Sequence, residues 1–453
     1  MPDGTSQPVV AGGEWRAHPQ GAERVALPNA AKPPSLVSLH ALDWLNFLLA
    51  ALLMGFGPFV GLHLADHGWT PASVGIVLTV SGLAGLLTQI PAGELIDVVQ
   101  SKRVLVGIGV AAVALAILTL GLRPDFSPVL VAVIMQGMAG SIIGPSIAAI
   151  SLGLVGHDAL SGRLGRNQQF ASIGGLTAAG AMGVVGYLLP TSDVFILIAA
   201  LGLPVLLVLG RIRASDIHYA RSCGAADLHP TRPQRVGRAA LVGDHRLLTF
   251  GICLFLFQLA NASILPLVGQ SLARTEGHRS ALILSAFVVV PQIVVALLAP
   301  WVGRKANTWG RKPLLLVGLA VLPIRSALFA LTADPAPLVV VQVLDGLSGA
   351  TLGVLTALVV ADLTKGTGRY NLAQGLVGTV SGAGAALSSS VSGLIVVSYG
   401  QAAGFLSLTA VGLLAVAILW MFMPETRSSA PQRQAGGEPS PRPSPQLSRE
   451  RVG

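Results

Sequence analysis

The sequence predicts an all-α membrane protein in which twelve transmembrane helices form two pseudo-symmetric six-helix bundles. Three observations lead there. The 453 residues are 52% hydrophobic and 11% charged, less than half the share of about a quarter found in ordinary globular domains. Twelve apolar stretches follow one another with short polar breaks, each near the roughly 20 residues needed to cross a hydrocarbon core about 30 Å thick. The two halves also repeat each other at a nearly constant spacing. The 54 glycines and 29 prolines, which would suggest disorder in a polar chain, here suit close approaches and kinks of membrane helices.

The first six stretches lie near 40–65, 73–96, 103–121, 127–152, 168–189 and 192–210. A polar segment follows, and six more stretches lie near 247–272, 280–301, 313–332, 337–361, 370–397 and 401–423. The chain therefore divides into a tail (1–36), an amino-terminal bundle (37–210), a linker (211–246), a carboxyl-terminal bundle (247–427) and a second tail (428–453). Both tails are rich in Pro with Gly, Ala, Ser or Gln and lack helical periodicity, so both are expected to be disordered. The start lacks the basic end, short apolar run and cleavage site of a signal peptide, so the first span is expected to be retained.

Basic residues orient the spans. With the amino terminus inside, the inner loops and linker hold seventeen Lys and Arg, from Lys102 and Arg103 to Lys365 and Arg369, against Arg123, Arg274 and Arg279 in the outer loops. Both termini are thus expected in the cytoplasm, the protein being multi-pass in the cytoplasmic (inner) membrane of a bacterium. A positive inner face also accounts for the net charge of +9, so no nucleic-acid partner is called for. The two cysteines, Cys223 and Cys253, form neither a disulfide framework nor a zinc-spaced cluster, and no metal is expected.

The repeat is visible at three places. Pro58, Val60, Gly61, Leu64 and Ala65 match Pro266, Val268, Gly269, Leu272 and Ala273 at an offset of 208; Gly137, Gly140 and Gly144 match Gly346, Gly349 and Gly353 at 209; Gly93 matches Gly303 at 210. Duplicated halves related by an axis along the membrane normal place a binding site between them near the midplane, exposed alternately to each side as the halves rock. The same glycines also suit close helix packing.

After the second span the chain reads Gly93-Glu-Leu-Ile-Asp97 and then Lys102-Arg103; after the eighth it reads Gly303-Arg-Lys-Ala-Asn307 and then Trp309-Gly310-Arg311-Lys312. These segments resemble the two copies of the loop motif of the major facilitator superfamily: a glycine, an acid four residues later, then glycine and paired basic residues. The first copy has Val98 and Gln100 where the family favours a basic residue and glycine, and the second has Asn307 in place of the acid. Pro424-Glu425-Thr426-Arg427 resembles the Pro-Glu-Thr ending common after the last span in that superfamily. The resemblance covers roughly 38–427 and implies the major facilitator fold. It also implies a conformational latch of Gly93, Asp97, Lys102, Arg103, Gly303, Gly310, Arg311 and Lys312 that helps hold the outward-facing arrangement. A positive anchor with a helix-capping acid would use the same residues. The arginine that many relatives carry three residues before a Gln-Gly pair in the fourth span is Val133 here, and the fifth span lacks the Gly-Pro antiporter pattern.

Two charges lie well inside apolar spans, Arg325 in the ninth and Asp345 in the tenth. An ionised group at helix centre costs about 2.5 to 3.5 kcal/mol on insertion scales, so each needs a partner, water or a neutral state. Their matching depths on successive antiparallel helices predict that they meet, either as a coupling site for a proton or as a permanent ion pair. Gln342, one turn before Asp345, can share its face. In the resembled family the first, fourth, seventh and tenth spans line the cavity, which makes Asn46, Gln136, Gln258, Asn261, Gln342 and Asp345 the binding-face candidates. Asp43 is expected near the cytoplasmic end of its span, where water is at hand. Pro58, Pro266, Pro291 and Pro323 interrupt helices as static kinks or gates.

No G-x-x-x-x-G-K-[ST], H-E-x-x-H or G-x-S-x-G motif occurs, so nucleotide-driven pumping, zinc proteolysis and hydrolase chemistry lack their residues, and neither enzymatic activity nor a cofactor is expected. The leading expectation is a monomeric secondary transporter of a small molecule, with proton-coupled efflux favoured. A facilitative or uptake carrier of a sugar, siderophore or metabolite stays open, as does a non-transporting membrane receptor.

Overall fold

A computed structural model describes residues 34–54, 58–225, 237–275, 280–332 and 334–427. The expected disorder of 1–33 and 428–453, and the linker residues 226–236, lie outside the described residues. The described chain is helical. The first span is α1 (Leu36–Met54) with α2 (Pro58–Asp66); the second is α3 (Pro71–Val98) and the third α4 (Lys102–Leu122). The fourth and fifth form α5 (Phe126–Leu188), and the sixth is α6 (Thr191–Ala200) with α7 (Gly202–Arg211). After the short α8 (Tyr219–Ser222) and α9 (Arg238–Val242), the seventh span is α10 (His245–Asn261) with α11 (Ile264–Thr275). The remaining five are α12 (Ser280–Trp309), α13 (Arg311–Leu331), α14 (Pro335–Leu363), α15 (Tyr370–Tyr399) and α16 (Gln401–Phe422).

Among the described residues eleven helical stretches are long and apolar enough to cross a membrane, and one of them, Phe126–Met182, is two spans joined without a loop. They meet at Gly156, whose φ of 71° and ψ of 177° suit a residue without a side chain. The polar break expected between the fourth and fifth spans is thus helix on both sides of one glycine. Polarity marked where the apolar slab ends, and the helix runs past it. Pro291 and Pro323 sit inside continuous helices, as do Pro91, Pro145 and Pro300, whereas Pro58 opens α2 and Pro266 lies in the first turn of α11. Several starts are sequence-encoded. Thr70 Oγ1 accepts from Ser73 N–H at 3.2 Å ahead of Pro71, and Asp334 Oδ1 accepts from Ala336 N–H at 3.1 Å ahead of Pro335. In both, a capping oxygen meets a free N–H and proline fills a first-turn position needing no donor.

Each half has its own apolar core: Leu42, Leu45, Val106, Val110, Ile117 and Val133 in the first, Leu254, Leu315, Leu319, Leu355, Leu358 and Phe405 in the second. The outer surface is apolar too, with Leu87 78% and Val397 88% exposed, as lipid-facing helices require.

The halves meet through α3 against α15 and α5 against α12. A methyl group added at Gly93 would strike the Asn371 carbonyl, and one at Gly375 the Gln89 carbonyl; one at Gly303 would strike the Ser161 carbonyl, and one at Gly165 the Ala299 carbonyl. The four residues of the second two contacts each lie 210 positions from their equivalents among the four of the first. Within the halves, Gly174 on the Phe47 carbonyl is likewise repeated by Gly384 on that of Phe255. The duplication is therefore built into backbone contacts at places where only glycine lets two helices touch.

Candidate functional site

Three groups of polar residues stand out: a contact zone where α3 and α15 meet, an ion pair inside the second half, and a cavity between the halves.

The contact zone lies at the end of the molecule that carries the inner loops and the linker, called the basic end below. Asp97, fully buried, accepts hydrogen bonds from the Asn371 N–H (3.1 Å), the Asn371 side-chain amide (2.8 Å) and the Leu372 N–H (2.9 Å). An acid of one bundle thereby caps the amino terminus of a helix of the other, where free N–H groups and the helix dipole favour negative charge. Lys102 is buried, with its ammonium on the carbonyls of Ile96 and Val99 and 4.9 Å over the Tyr219 ring; Arg103 donates to Gly210 O at 3.2 Å.

The linker takes part as well, which its polar composition did not reveal. Tyr219 Oη donates to Asp97 O at 2.9 Å and Cys223 Sγ lies 3.3 Å from the same oxygen, while His218 N–H donates to Gly153 O at 3.1 Å. On the other side, Tyr370 N–H donates to Cys223 O (3.1 Å), Gly366 N–H to Gly224 O (2.7 Å) and the Asn371 amide to Ser222 O (3.1 Å). Residues 218–224 thus tie the two bundles together beside Asp97. At the linker's start, Ser35 and Ser38 hydroxyls on Asp216 hold its carboxyl below the ordinary value.

The second motif copy is wired differently. Arg311 bonds Asp362 Oδ2 (2.8 Å) and the Ala306 carbonyl (2.6 Å), and Glu425 of the Pro-Glu-Thr ending accepts from the N–H groups of Arg311 (2.8 Å) and Lys312 (3.0 Å). Gly310 sits at φ 97° against that carboxylate. Asn307, at the register of Asp97, donates to Asp158 O at 3.4 Å. One interface therefore has an anionic cap and the other a neutral amide. A further buried site was misjudged: Asp43 is enclosed, pairing with Arg163 and, at 2.8 Å, with Arg166. The expectation of ready solvation failed because α5 continues past the bilayer and lays both arginines over α1.

Gly93→Val tests the contact zone. Branched atoms there would collide with the Asn371 backbone, a mismatch of order 1–3 kcal/mol against the closed basic end. Cys223, buried beside it, is expected to react with a small thiol reagent at least ten times faster in the variant, as followed by peptide mass spectrometry.

Arg325 and Asp345 form an ion pair. Arg325 is only 3% exposed, whereas the Asp345 side chain keeps 30% exposure. Gln342, buried one turn earlier, donates to Phe287 O at 3.1 Å instead of joining the pair.

A cavity of about 470 Å³ lies between the halves, walled by α3, α5, α10, α14 and α15. Its polar lining comprises the amides of Gln89, Gln258 and Gln374 and the hydroxyls of Ser141, Thr356 and Ser381, and none of its lining residues is ionisable. Of the binding-face candidates, only Gln258 is on this wall. Asn46 donates back to Leu42 O at 2.7 Å, Gln136 accepts from Ser81 Oγ at 3.0 Å, and Asn261 and the Asp345 pair lie elsewhere on their helices. Sequence reasoning missed Gln89, because the second span was not counted as cavity-lining; its spacing from Gly93, one turn on the same face, was the available signal.

The model of the Major Facilitator Superfamily matches residues 42–241 and 250–452. An uncharacterized MFS-type transporter of Mycobacterium tuberculosis is 39% identical over 402 residues, covering 88% of this chain and 96% of the relative. The efflux pump azaK of Aspergillus niger is 31% identical over 186 residues, 38% of each chain. Among solved structures, the E. coli fucose:proton symporter FucP superposes with a TM-score of 0.69 at 13% identity, over 85% of this chain and 98% of that one, a likeness of fold. With two glycine-joined bundles around a central cavity and these matches over nearly its whole described length, the chain is a multi-pass membrane transporter belonging to the Major Facilitator Superfamily.

Proposed function

We propose that this transporter exports a small, uncharged or weakly amphiphilic solute by alternating access in exchange for protons. In this reading it works as a monomer in a bacterial cytoplasmic membrane, with the basic end and both tails in the cytoplasm. The observation that supports it most is the cavity between the halves: amide, hydroxyl and apolar lining suits a neutral solute, and the glycine contacts with the Asp97 cap close it off on the basic side. Asp345 is the proton site and Arg325 the cation whose approach sets its affinity. Asp345 lies about two turns along α14 from the nearest cavity residue, Leu352, and Arg325 is on α13, which gives no residue to the cavity lining, so proton and solute are coupled through helix movement rather than by competing for one group. Gln258, with Gln89 and Gln374, contacts the solute; Asn46, Gln136, Asn261 and Gln342 hold the helices that present them. Gly93, Asp97, Lys102 and Arg103, with Gly303, Gly310, Arg311 and Lys312 of the second copy, form the latch that favours the outward-facing state. Export is supported by the similarity to azaK, itself an efflux pump.

Proteoliposomes carrying the purified chain test this with a panel of neutral amphiphiles and sugars. Accumulation of a solute that depends on an imposed pH gradient and collapses with a protonophore is the expected result. Movement that equilibrates regardless of the gradient would instead favour a facilitative carrier, a reading supported by the cavity's lack of ionisable groups. No solute movement across the panel, with binding retained, would favour a receptor.

A further inference from the structure

The lipid-facing side of the first bundle holds a groove that no side chain of the bundle fills. Its walls are Val37, His40, Ala41 and Trp44 of α1 and Pro204, Leu207, Val208 and Arg211 of α7, enclosing about 470 Å³. Each set has the spacing i, i+3, i+4, i+7, a single stripe along one helix face. The helices are antiparallel, so the stripes run side by side for about 10 Å, at 1.5 Å rise per residue. Val37, Trp44 and Leu207 are exposed, which leaves the groove open towards the bilayer rather than the bundle core.

Its chemistry changes along its length. The deep end is apolar, between Trp44 and Pro204, with the Trp44 ring steadied edge-on by Phe47 and Phe170. The mouth is at the basic end, where exposed His40 and Arg211 face each other across the groove. Arg211 has no ion-pair or hydrogen-bond partner among the described residues. The acids nearby are already engaged: Asp43 by Arg163 and Arg166, Asp216 by Ser35 and Ser38. Arg103, hydrogen-bonded to Gly210 O, and Arg213, next to Ser38, add positive charge on either side. An apolar slot capped at headgroup level by an unpaired guanidinium, with a histidine beside it, is complementary to an anionic phospholipid.

We propose that this groove is a binding site for an anionic phospholipid, whose phosphate lies on Arg211 and His40 and whose acyl chain fills the slot between Trp44 and Leu207. Arg211 is the principal contact, since its guanidinium can take two phosphate oxygens at once. The site is separate from the central cavity and does not depend on what the protein transports.

The test uses the full chain in neutral detergent, with phosphatidylglycerol or phosphatidylcholine added and bound lipid counted by native mass spectrometry. The wild type is expected to retain phosphatidylglycerol over phosphatidylcholine by fivefold or more. Arg211→Gln should remove most of that preference, Arg211→Lys should keep part of it, and Arg304→Gln, an exposed cation elsewhere on the basic end, should leave it unchanged. Leu207→Trp, which adds bulk at an exposed wall of the slot, should lower retention of both lipids. Thermal unfolding in detergent alone should be the same for all variants, which separates lost binding from lost folding. Equal retention of both lipids by the wild type, or an unchanged preference in Arg211→Gln together with unchanged retention in Leu207→Trp, would overturn the site. Displacement of phosphatidylglycerol by a neutral amphiphile at equal concentration would also count against it, marking the groove as an entry port for membrane-dissolved solute.

Discussion

Asp97→Ala is expected to open the basic end. The carboxylate accepts three hydrogen bonds from the first residues of α15. Hydrogen bonds to a charged group are worth about 1.5–3 kcal/mol each and are not additive, so a loss of about 3 kcal/mol of closed-state stability, some hundredfold in the conformational equilibrium, is a reasonable size. Spin labels at the exposed positions Ser101 and Lys365, one on each bundle, should gain a long-distance population in Asp97→Ala. Asp97→Asn keeps an acceptor without the charge and should fall between. The corresponding change at Asn307 should do far less, because its amide reaches the other bundle through a long bond to Asp158 O, while its oxygen accepts from Arg311 of its own bundle. Equal effects at the two positions would mean that the latch draws its strength from glycine packing, with the anion incidental.

The second large effect is expected at Arg325 and Asp345. Asp345→Ala strands a guanidinium that is nearly fully buried, and breaking a buried pair from one side costs about 3–5 kcal/mol. Replacing both partners, as Arg325→Met with Asp345→Leu, removes both desolvation penalties and should restore thermal stability to within about 2 kcal/mol of the wild type. The double variant is where the two readings of the pair diverge. A coupling site predicts a stable protein in which a pH gradient no longer drives solute movement; a merely structural pair predicts normal gradient-driven transport. Asp345→Asn, nearly isosteric with the acid, should likewise fold and lose coupling. The partial exposure of the Asp345 side chain, against the enclosure of Arg325, points to the acid as the group protons can reach.

Much of this architecture could be read from the chain alone. Hydrophobic length placed the spans, and the repeat placed the halves, because a helix in lipid must satisfy its own backbone and so announces itself by composition. The meeting of Arg325 with Asp345 followed from depth on adjacent antiparallel helices, a one-dimensional calculation. Gly93 and Gly303 were legible as equivalent positions, though not what each one touches. Asp97 was expected to serve a helix terminus, but that this terminus belongs to α15 of the other bundle was not.

The misses share a cause. Asp43 looked solvated because the stretch after the fourth span is polar, and only the folded chain shows that stretch as helix laid over α1. Residues 218–224 read as linker because their polarity matches an aqueous setting, yet their backbone and Cys223 fill the seam between bundles. Gln89 was passed over because lining a cavity depends on the rotation of α3 against α15, which no local pattern records.

Composition, hydrophobic period and duplication by themselves determined the solvent, the number of spans and the two-bundle plan, since those follow from the free energy of moving segments into lipid one at a time. The tertiary structure decided which polar atoms are paired across the seam, which amides face the cavity and which arginine is left without a counter-charge. Those depend on helix rotation and on contacts between residues far apart in sequence, energies that exist only once the bundles have met.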